Sequence, residues 1–242
     1  MATRKKTAPK GKKLSKASPP LKKRAGRWVV RALALAFVLA VLLVLLFRFV
    51  NPPTGVYMLS ESRRLGGVQR DWVPLEQIAP VMARAAVAAE DANFCNHWGF
   101  DMQAIRTAIE NGSARGASTI SQQTVKNVYL WHGRSWLRKA LEAGMTPLVE
   151  TLWPKRRIIE VYLNVAEFDE GVFGVGAAAP HYFGVAAADL SPTQAARLAA
   201  ILPDPKERSA SRPGDFTRKR TAQIMDGAAT IRADGRAACF ES

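Results

Sequence analysis

Residues 116–127 read Gly116-Ala117-Ser118-Thr119-Ile120-Ser121-Gln122-Gln123-Thr124-Val125-Lys126-Asn127. Ser118 and Thr119 are good helix N-caps, because a hydroxyl oxygen accepts from the free N–H groups of a first turn. A helix is therefore expected from there to about Leu130. Along it Gln122 and Lys126 stand four apart, as do Gln123 and Asn127, and Gln123 and Lys126 stand three apart. Two amides, hydroxyls and an ammonium on one helix suit recognition of a sugar or a phosphate. A solvated helix face has the same composition, so this stretch needs support from its flanks.

The flanks are also helical. Pro80 suits a first-turn position, and Val81, Ala85 and Ala88 fall on one face of a helix ending near Glu90. Further helices are expected over 101–111, over 135–153, after Pro154, and from Ser191-Pro192 to about Leu202. Pro147, with Gly144 nearby, predicts a kink in the helix over 135–153. No strand-like alternation stands out and no repeat of 20–50 residues appears, so the fold class is mainly α. The two cysteines, Cys95 and Cys239, are read as free thiols, with pairing left open if the domain lies in an oxidising compartment. His97, His132 and His181 are scattered, so no zinc site is expected.

Glu90-Asp91 closes an alanine-rich helix. Negative charge at a helix C-terminus opposes the dipole and favours a raised carboxyl pKa, which suits a general base. An exposed pair of acids at a helix end is the plainer reading. Arg138 and Lys139 precede Glu142 by four and three residues, so all three can meet on one surface. Residues 126–157 hold seven basic and two acidic side chains, a local +5. An anionic ligand such as phosphate accounts for it; ordinary helix ion pairs are the alternative.

The chain has 242 residues, 48% apolar and 23% charged, with 35 basic and 20 acidic side chains, net +15. That composition excludes a disordered chain and a disulfide-rich miniprotein. Residues 1–31 hold twelve of the basic residues and no acid, leaving +3 on the other 211 residues. Residues 1–26 are read as disordered. Trp28 to Val50 then forms a 23-residue, largely apolar run with Arg31 and Arg48 near its ends. At about 1.5 Å per residue it reaches roughly 35 Å, enough for a bilayer core of about 30 Å. Phe47 to Pro53 has no A-x-A cleavage site. An uncleaved anchor is expected, with tail 1–27 cytoplasmic, span 28–50, and a domain over 51–242 on the far side. Basic residues leading into a span are explained by topology and anionic lipid, and no nucleic-acid partner is expected.

Five blocks, in order, resemble one family. Glu90 to Asp101 resembles E-D-x-x-F-x-x-H-x-G-x-D. Gly116 to Asn127 resembles G-x-S-T-I-x-Q-Q-x-x-K-N, Arg138 to Glu142 resembles R-K-x-x-E, and Lys155 to Asn164 resembles K-x-R-I-L-E-x-Y-L-N. Ala195 to Pro205 resembles A-x-L-A-x-x-P-x-P more loosely. The blocks span about 85–205 and resemble the peptidoglycan glycosyltransferases (glycosyltransferase family 51), the lipid II polymerases, most closely the monofunctional members. No serine here has a lysine three residues on, so the S-x-x-K of the transpeptidase domain is missing.

The resemblance implies a lysozyme-like helical glycosyltransferase domain with a smaller membrane-proximal jaw lobe, preceded by one transmembrane helix. It implies that Glu90 is the general base and that Glu142 assists at the donor phosphates through a divalent cation, Mg²⁺ or Mn²⁺. Lys126 and Arg134 would bind the donor pyrophosphate, supported by Arg138 and Lys139. Ser118, Thr119, Gln122, Gln123 and Asn127 would line the glycan path, and Arg106 would lie near the acceptor. The implied partners are lipid II, the lipid-linked chain, the membrane and other cell-wall synthesis proteins, at a bacterial inner membrane with the catalytic domain periplasmic. Two rival readings are a muramidase using Glu90 as general acid and an inactive anchored scaffold.

Overall fold

The computed structural model describes residues 21–110, 112, 118–133 and 135–241. Most of the expected tail 1–27, and Arg134, lie outside these residues. The chain divides into two units, Met1–Leu42 and Leu43–Ser242.

Helix α1 (Leu21–Phe49) starts seven residues before Trp28, so the reading of 21–26 as disordered is corrected: Leu21 to Gly26 continue the helix. Its segment Gly26–Phe49 is long and apolar enough to cross a membrane, and its side chains are almost wholly exposed. Such a surface is stable in hydrocarbon and costly in water.

The second unit is helical, as its sequence spacing requires. Helix α2 (Val56–Leu65) follows the Pro52-Pro53 break, and a two-residue strand β1 (Gln69–Arg70) comes next. Then come α3 (Pro80–Glu90), α4 (Met102–Glu110), α5 (Ile120–Tyr129), α6 (Trp136–Leu152) and α7 (Lys155–Val165). Strands β2 (Glu167–Asp169) and β3 (Val172–Phe173) lead to α8 (Val175–Phe183), α9 (Pro192–Ile201), α10 (Asp215–Ala233) and α11 (Ala238–Glu241). Helix α6 runs through Pro147 as one element. Ser191 and Gln194 form a capping box at the start of α9, satisfying two N–H groups reciprocally.

The three strands form a sheet of order β1-β3-β2, with β1 parallel and β2 antiparallel to β3. The sequence reading contained no strand. Runs of two or three residues are too short to show a two-residue period. Behind the sheet, Gly176 packs against the chain at Asp71, where an added Cβ would lie 2.4 Å from a carbonyl oxygen.

The core is built from α3, α5, α7, α9 and α10. Met82, Ile120, Ile158, Leu163 and Leu198 are fully buried, with Phe94, Tyr162 and Phe168 filling the larger spaces. The last turns of α1 join this core: Val44 and Phe47 are buried in it. Trp153 donates its indole N–H to the Val44 carbonyl at 2.7 Å, and Arg48 donates to Leu152 O at 2.7 Å. Arg157 donates to the carbonyls of Phe47 and Val50 at 3.0–3.2 Å and to Asn51 Oδ1 at 3.1 Å, while pairing with Glu160 at 2.8 Å. A helix end leaves carbonyls without partners; the guanidinium fork supplies several donors from one side chain.

Cys95 and Cys239 form a disulfide, which corrects the reading of two free thiols. They are 144 residues apart, so nothing local in the sequence betrays the pairing.

Candidate active site

The site is assembled from the end of α3, the first turns of α5 and the first turns of α6. Small apolar residues (Ala83, Ala85, Ala86, Val87) bury one side of α3 and leave Glu90 at its last position. Glu90 Oε2 accepts from Gln123 Nε2 at 2.9 Å. Burial pushes the Glu90 carboxyl above the ordinary carboxylate range; the Gln123 bond and the charges of Arg220 and Lys126 act against the rise.

Asp91 has a different task. It is buried and caps α5, its Oδ2 accepting from Ile120 N at 3.0 Å. Its Oδ1 lies 2.7 Å from His97 Nε2. Because Gly99 N donates to His97 Nδ1 at 3.2 Å, the ring proton is assigned to Nε2, which donates to Asp91. The loop after Glu90 is thus tied to the start of α5. Gly99 sits at φ +84°, and an added Cβ would lie 2.5 Å from Thr146 Cγ2 on α6, so the loop passes α6 where no side chain fits.

Thr119 and Gln122 are drawn inward. They form the capping box of α5, and Thr119 Oγ1 also donates to Gly99 O at 2.7 Å. Both are buried. Gln123, Lys126 and Asn127 instead line a cleft of about 410 Å³, with Tyr57, His132 and Lys206 in its walls. Burial pushes the Lys126 ammonium below its ordinary range, an effect Glu142 opposes.

Asn127 Oδ1 lies 3.0 Å from His132 Nε2, and the His132 ring stacks on Tyr57 with centroids 3.5 Å apart. Burial first, then the nearby cations Lys126, Arg138 and Lys206, lower the His132 imidazole to about 3, so it is neutral at physiological pH. Tyr57 in turn donates to Glu167 Oε2 at 2.6 Å.

On α6, Ser135 caps the helix through Arg138 N. The buried carboxylate of Glu142 accepts from Arg138 Nη1 at 2.6 Å and from Lys139 Nζ. Lys139 Nζ also reaches Ser118 Oγ at 3.4 Å. Ser118, Lys139, Glu142 and Arg138 therefore form one connected cationic group beside Lys126. Arg106 is exposed on α4, which buries none of its residues. Arg134 lies outside the described residues.

Tyr57, His132, Lys206 and Arg220 were not among the expected site residues. Arg220, on α10, donates to Ala89 O at 2.9 Å, beside Glu90. Tyr162, inside the fourth block, lies fully buried against the same cleft. Only Tyr162 carried a sequence signal, as part of the K-x-R-I-L-E-x-Y-L-N resemblance.

Among the described residues no three His, Cys, Asp or Glu side chains cluster as a metal cage. Glu142 is the carboxylate within that group, one oxygen paired with Arg138 and the other with Lys139. A single carboxylate fits a divalent cation that takes its remaining ligands from a bound diphosphate and water, the common mode for Mg²⁺.

Residues 58–229 match the sequence model of the family described as Transglycosylase. The chain is 58% identical over 235 residues to a protein of Jannaschia sp. (strain CCS1) named "Biosynthetic peptidoglycan transglycosylase", covering 97% of this chain and 98% of that protein. A protein of the same name from Caulobacter vibrioides is 47% identical over 226 residues, covering 88% of this chain and 99% of that one. Another from Xanthomonas oryzae is 47% identical over 220 residues, covering 86% and 90%.

Proposed function

The chain belongs to the transglycosylase family, and from that premise we propose that it polymerises lipid II into peptidoglycan glycan strands, with Glu90 as general base. The observation that carries this reading is a pairing within one site. A carboxyl with a raised pKa is held by Gln123, and Lys126 lies between it and the Arg138–Lys139–Glu142 group.

Glu90 takes the proton from the 4-hydroxyl of the acceptor GlcNAc. That oxygen forms a bond to C1 of the donor's terminal MurNAc. The bond from C1 to the phosphate oxygen breaks on the opposite face, giving a β-1,4 linkage and undecaprenyl pyrophosphate. A raised pKa makes the carboxylate a stronger base toward the acceptor hydroxyl. Gln123 fixes its direction. Lys126, Arg138 and Lys139, with Arg134, stabilise the charge that develops on the leaving diphosphate. Burial of Lys126 strengthens that interaction, because the surroundings screen it less. Glu142 would hold a divalent cation with the diphosphate, which supplies further charge neutralisation. Asn127 and Ser118 line the path, and exposed Arg106 is assigned to the acceptor side. Thr119 and Gln122 support the site by shaping the start of α5.

The apolar helix Gly26–Phe49 is consistent with a membrane anchor. Cytoplasmic placement of the basic tail, and a periplasmic domain at a bacterial inner membrane, follow from the charge asymmetry; a disulfide supports an oxidising compartment for the domain. Exposed Trp98, Met102 and Ile109 beside and on α4 suit a membrane-proximal jaw. Transpeptidation is not part of the proposed activity.

The test is incubation of purified full-length protein with lipid II and Mg²⁺ or Mn²⁺, followed by gel separation of glycan strands. Polymer from the wild type and none from Glu90→Gln is expected. Clearing of purified sacculi without polymer formation would replace this reading with the muramidase one.

A further inference from the structure

The cysteines lie at the meeting of the chain's end with the loop that follows Glu90. Cys95 sits in a 3₁₀ turn, Phe94–Asn96, before which the Asp91 carbonyl accepts from Phe94 N at 2.9 Å. Cys239 sits in α11, outside the matched region 58–229. Around the disulfide the two segments grip each other twice more. Arg236 Nη1 donates to Ala92 O at 3.0 Å, and the Phe94 and Phe240 rings lie 6.2 Å apart. The same loop carries His97, whose proton goes to Asp91, and Asp91 holds the N-terminus of α5. A covalent restraint at Cys95 therefore acts on the loop that leads from Glu90 to α4 and that Asp91 ties to the start of α5, the helix bearing Gln123 and Lys126.

Resting on the transglycosylase reading, we propose that the Cys95–Cys239 bond is a redox control on catalysis, oxidation holding the 91–101 loop in its working position and reduction loosening it. The bond forms by exchange with an oxidising dithiol–disulfide partner. Its disulfide accepts the two electrons, and the protons of the Cys95 and Cys239 thiols end on its two sulfurs. A reducing dithiol reverses the step. The effect is local. With the bond open, α11 remains docked through the Arg84–Glu241 pair at 2.5 Å, the Arg156 bond to Phe240 O at 3.1 Å and the buried Phe240 ring. The core of α3, α5, α7, α9 and α10 does not depend on it. What is lost is the tether on Cys95, five residues from the base.

The experiment compares full-length protein in detergent, oxidised and then fully reduced, with the thiol count verified by alkylation and mass measurement. Turnover of lipid II is expected to fall several-fold on reduction and to return on reoxidation. The double variant Cys95→Ser/Cys239→Ser is expected at the reduced level and indifferent to reductant. Amide exchange over 91–101 is expected to quicken on reduction while α9 and α10 stay protected. Unchanged turnover and unchanged exchange after complete reduction overturn the proposal, as does an equal reductant response in the double variant or loss of protection throughout the domain. Failure of the oxidised protein to polymerise lipid II overturns the transglycosylase reading instead, and the exchange measurement then decides the redox restraint alone.

Discussion

Glu90 Oε2 lies 2.9 Å from the amide nitrogen of Gln123, so the last residue of α3 is held by a side chain of α5. Burial raises the Glu90 pKa. A carboxyl whose folded-state pKa is raised binds its proton more tightly in the native state, so stability declines as pH rises from the unfolded to the folded pKa. Glu90→Gln removes that decline and keeps an oxygen for Gln123. Polymerisation is expected to fall by at least about 100-fold, the usual worth of a general base. The thermal midpoint at pH 7 is expected to rise, by about 2–4 °C for each kcal/mol relieved. Scanning calorimetry beside the lipid II assay checks both signs.

Asp91 holds two donors that would otherwise be stranded, His97 Nε2 and the buried Ile120 N–H. Asp91→Ala leaves both without partners at a cost of about 2–4 kcal/mol. Asp91→Asn keeps an acceptor for one and is expected to lose about half as much. Urea unfolding at pH 7 measures the difference, and a loss below about 0.5 kcal/mol for the alanine variant, typical of a neutral surface change, would contradict the capping role.

His132 is neutral in the fold because burial lowers it to about 3. The unfolded chain takes up its proton near the ordinary value of about 6.5. Stability is therefore full above about pH 6.5 and lost progressively as pH falls toward 3. Glu61, held at about 2 chiefly by Arg64, adds a similar loss only below the ordinary carboxylate range. Between pH 6.5 and 5 the loss belongs mainly to the imidazole, and His132→Asn is expected to flatten it in a urea-midpoint series.

Arg157 meets the carbonyls of Phe47 and Val50, the Asn51 amide oxygen and Glu160. Arg157→Met strands these acceptors and is expected to cost about 3 kcal/mol. Arg157→Lys keeps the charge but not the fork and should fall between. Thermal unfolding of the three proteins in one detergent tests the order.

Much of this architecture was legible because it rests on local physics. Pro80, Thr119, Ser135 and Ser191 mark helix starts through their own caps or fixed φ, and α3, α5, α6 and α9 begin within a residue or two of the expected positions. Helices α2 and α10 lie outside the five blocks and were not among the expected helices. The site followed the same division. Glu90, Gln123, Lys126 and Glu142 stand in readable blocks, whereas Tyr57 and Lys206 reach the cleft, and Arg220 the backbone beside Glu90, from elements distant in sequence. Thr119 and Gln122 show the converse. Their polarity suggested ligand contact, yet the capping box takes both side chains. The disulfide joins residues 144 apart, a relationship no spacing rule contains.

The burial of Val44 and Phe47 bears on how such proteins can be recombined. A chimera that replaces the span up to Phe49 would remove part of the enzyme's own interior along with its tether. A foreign span must be spliced upstream of Leu43 to be interchangeable. Selection on Val44 and Phe47 then answers to protein packing more than to lipid, and these two positions should drift more slowly between species than the exposed residues around them.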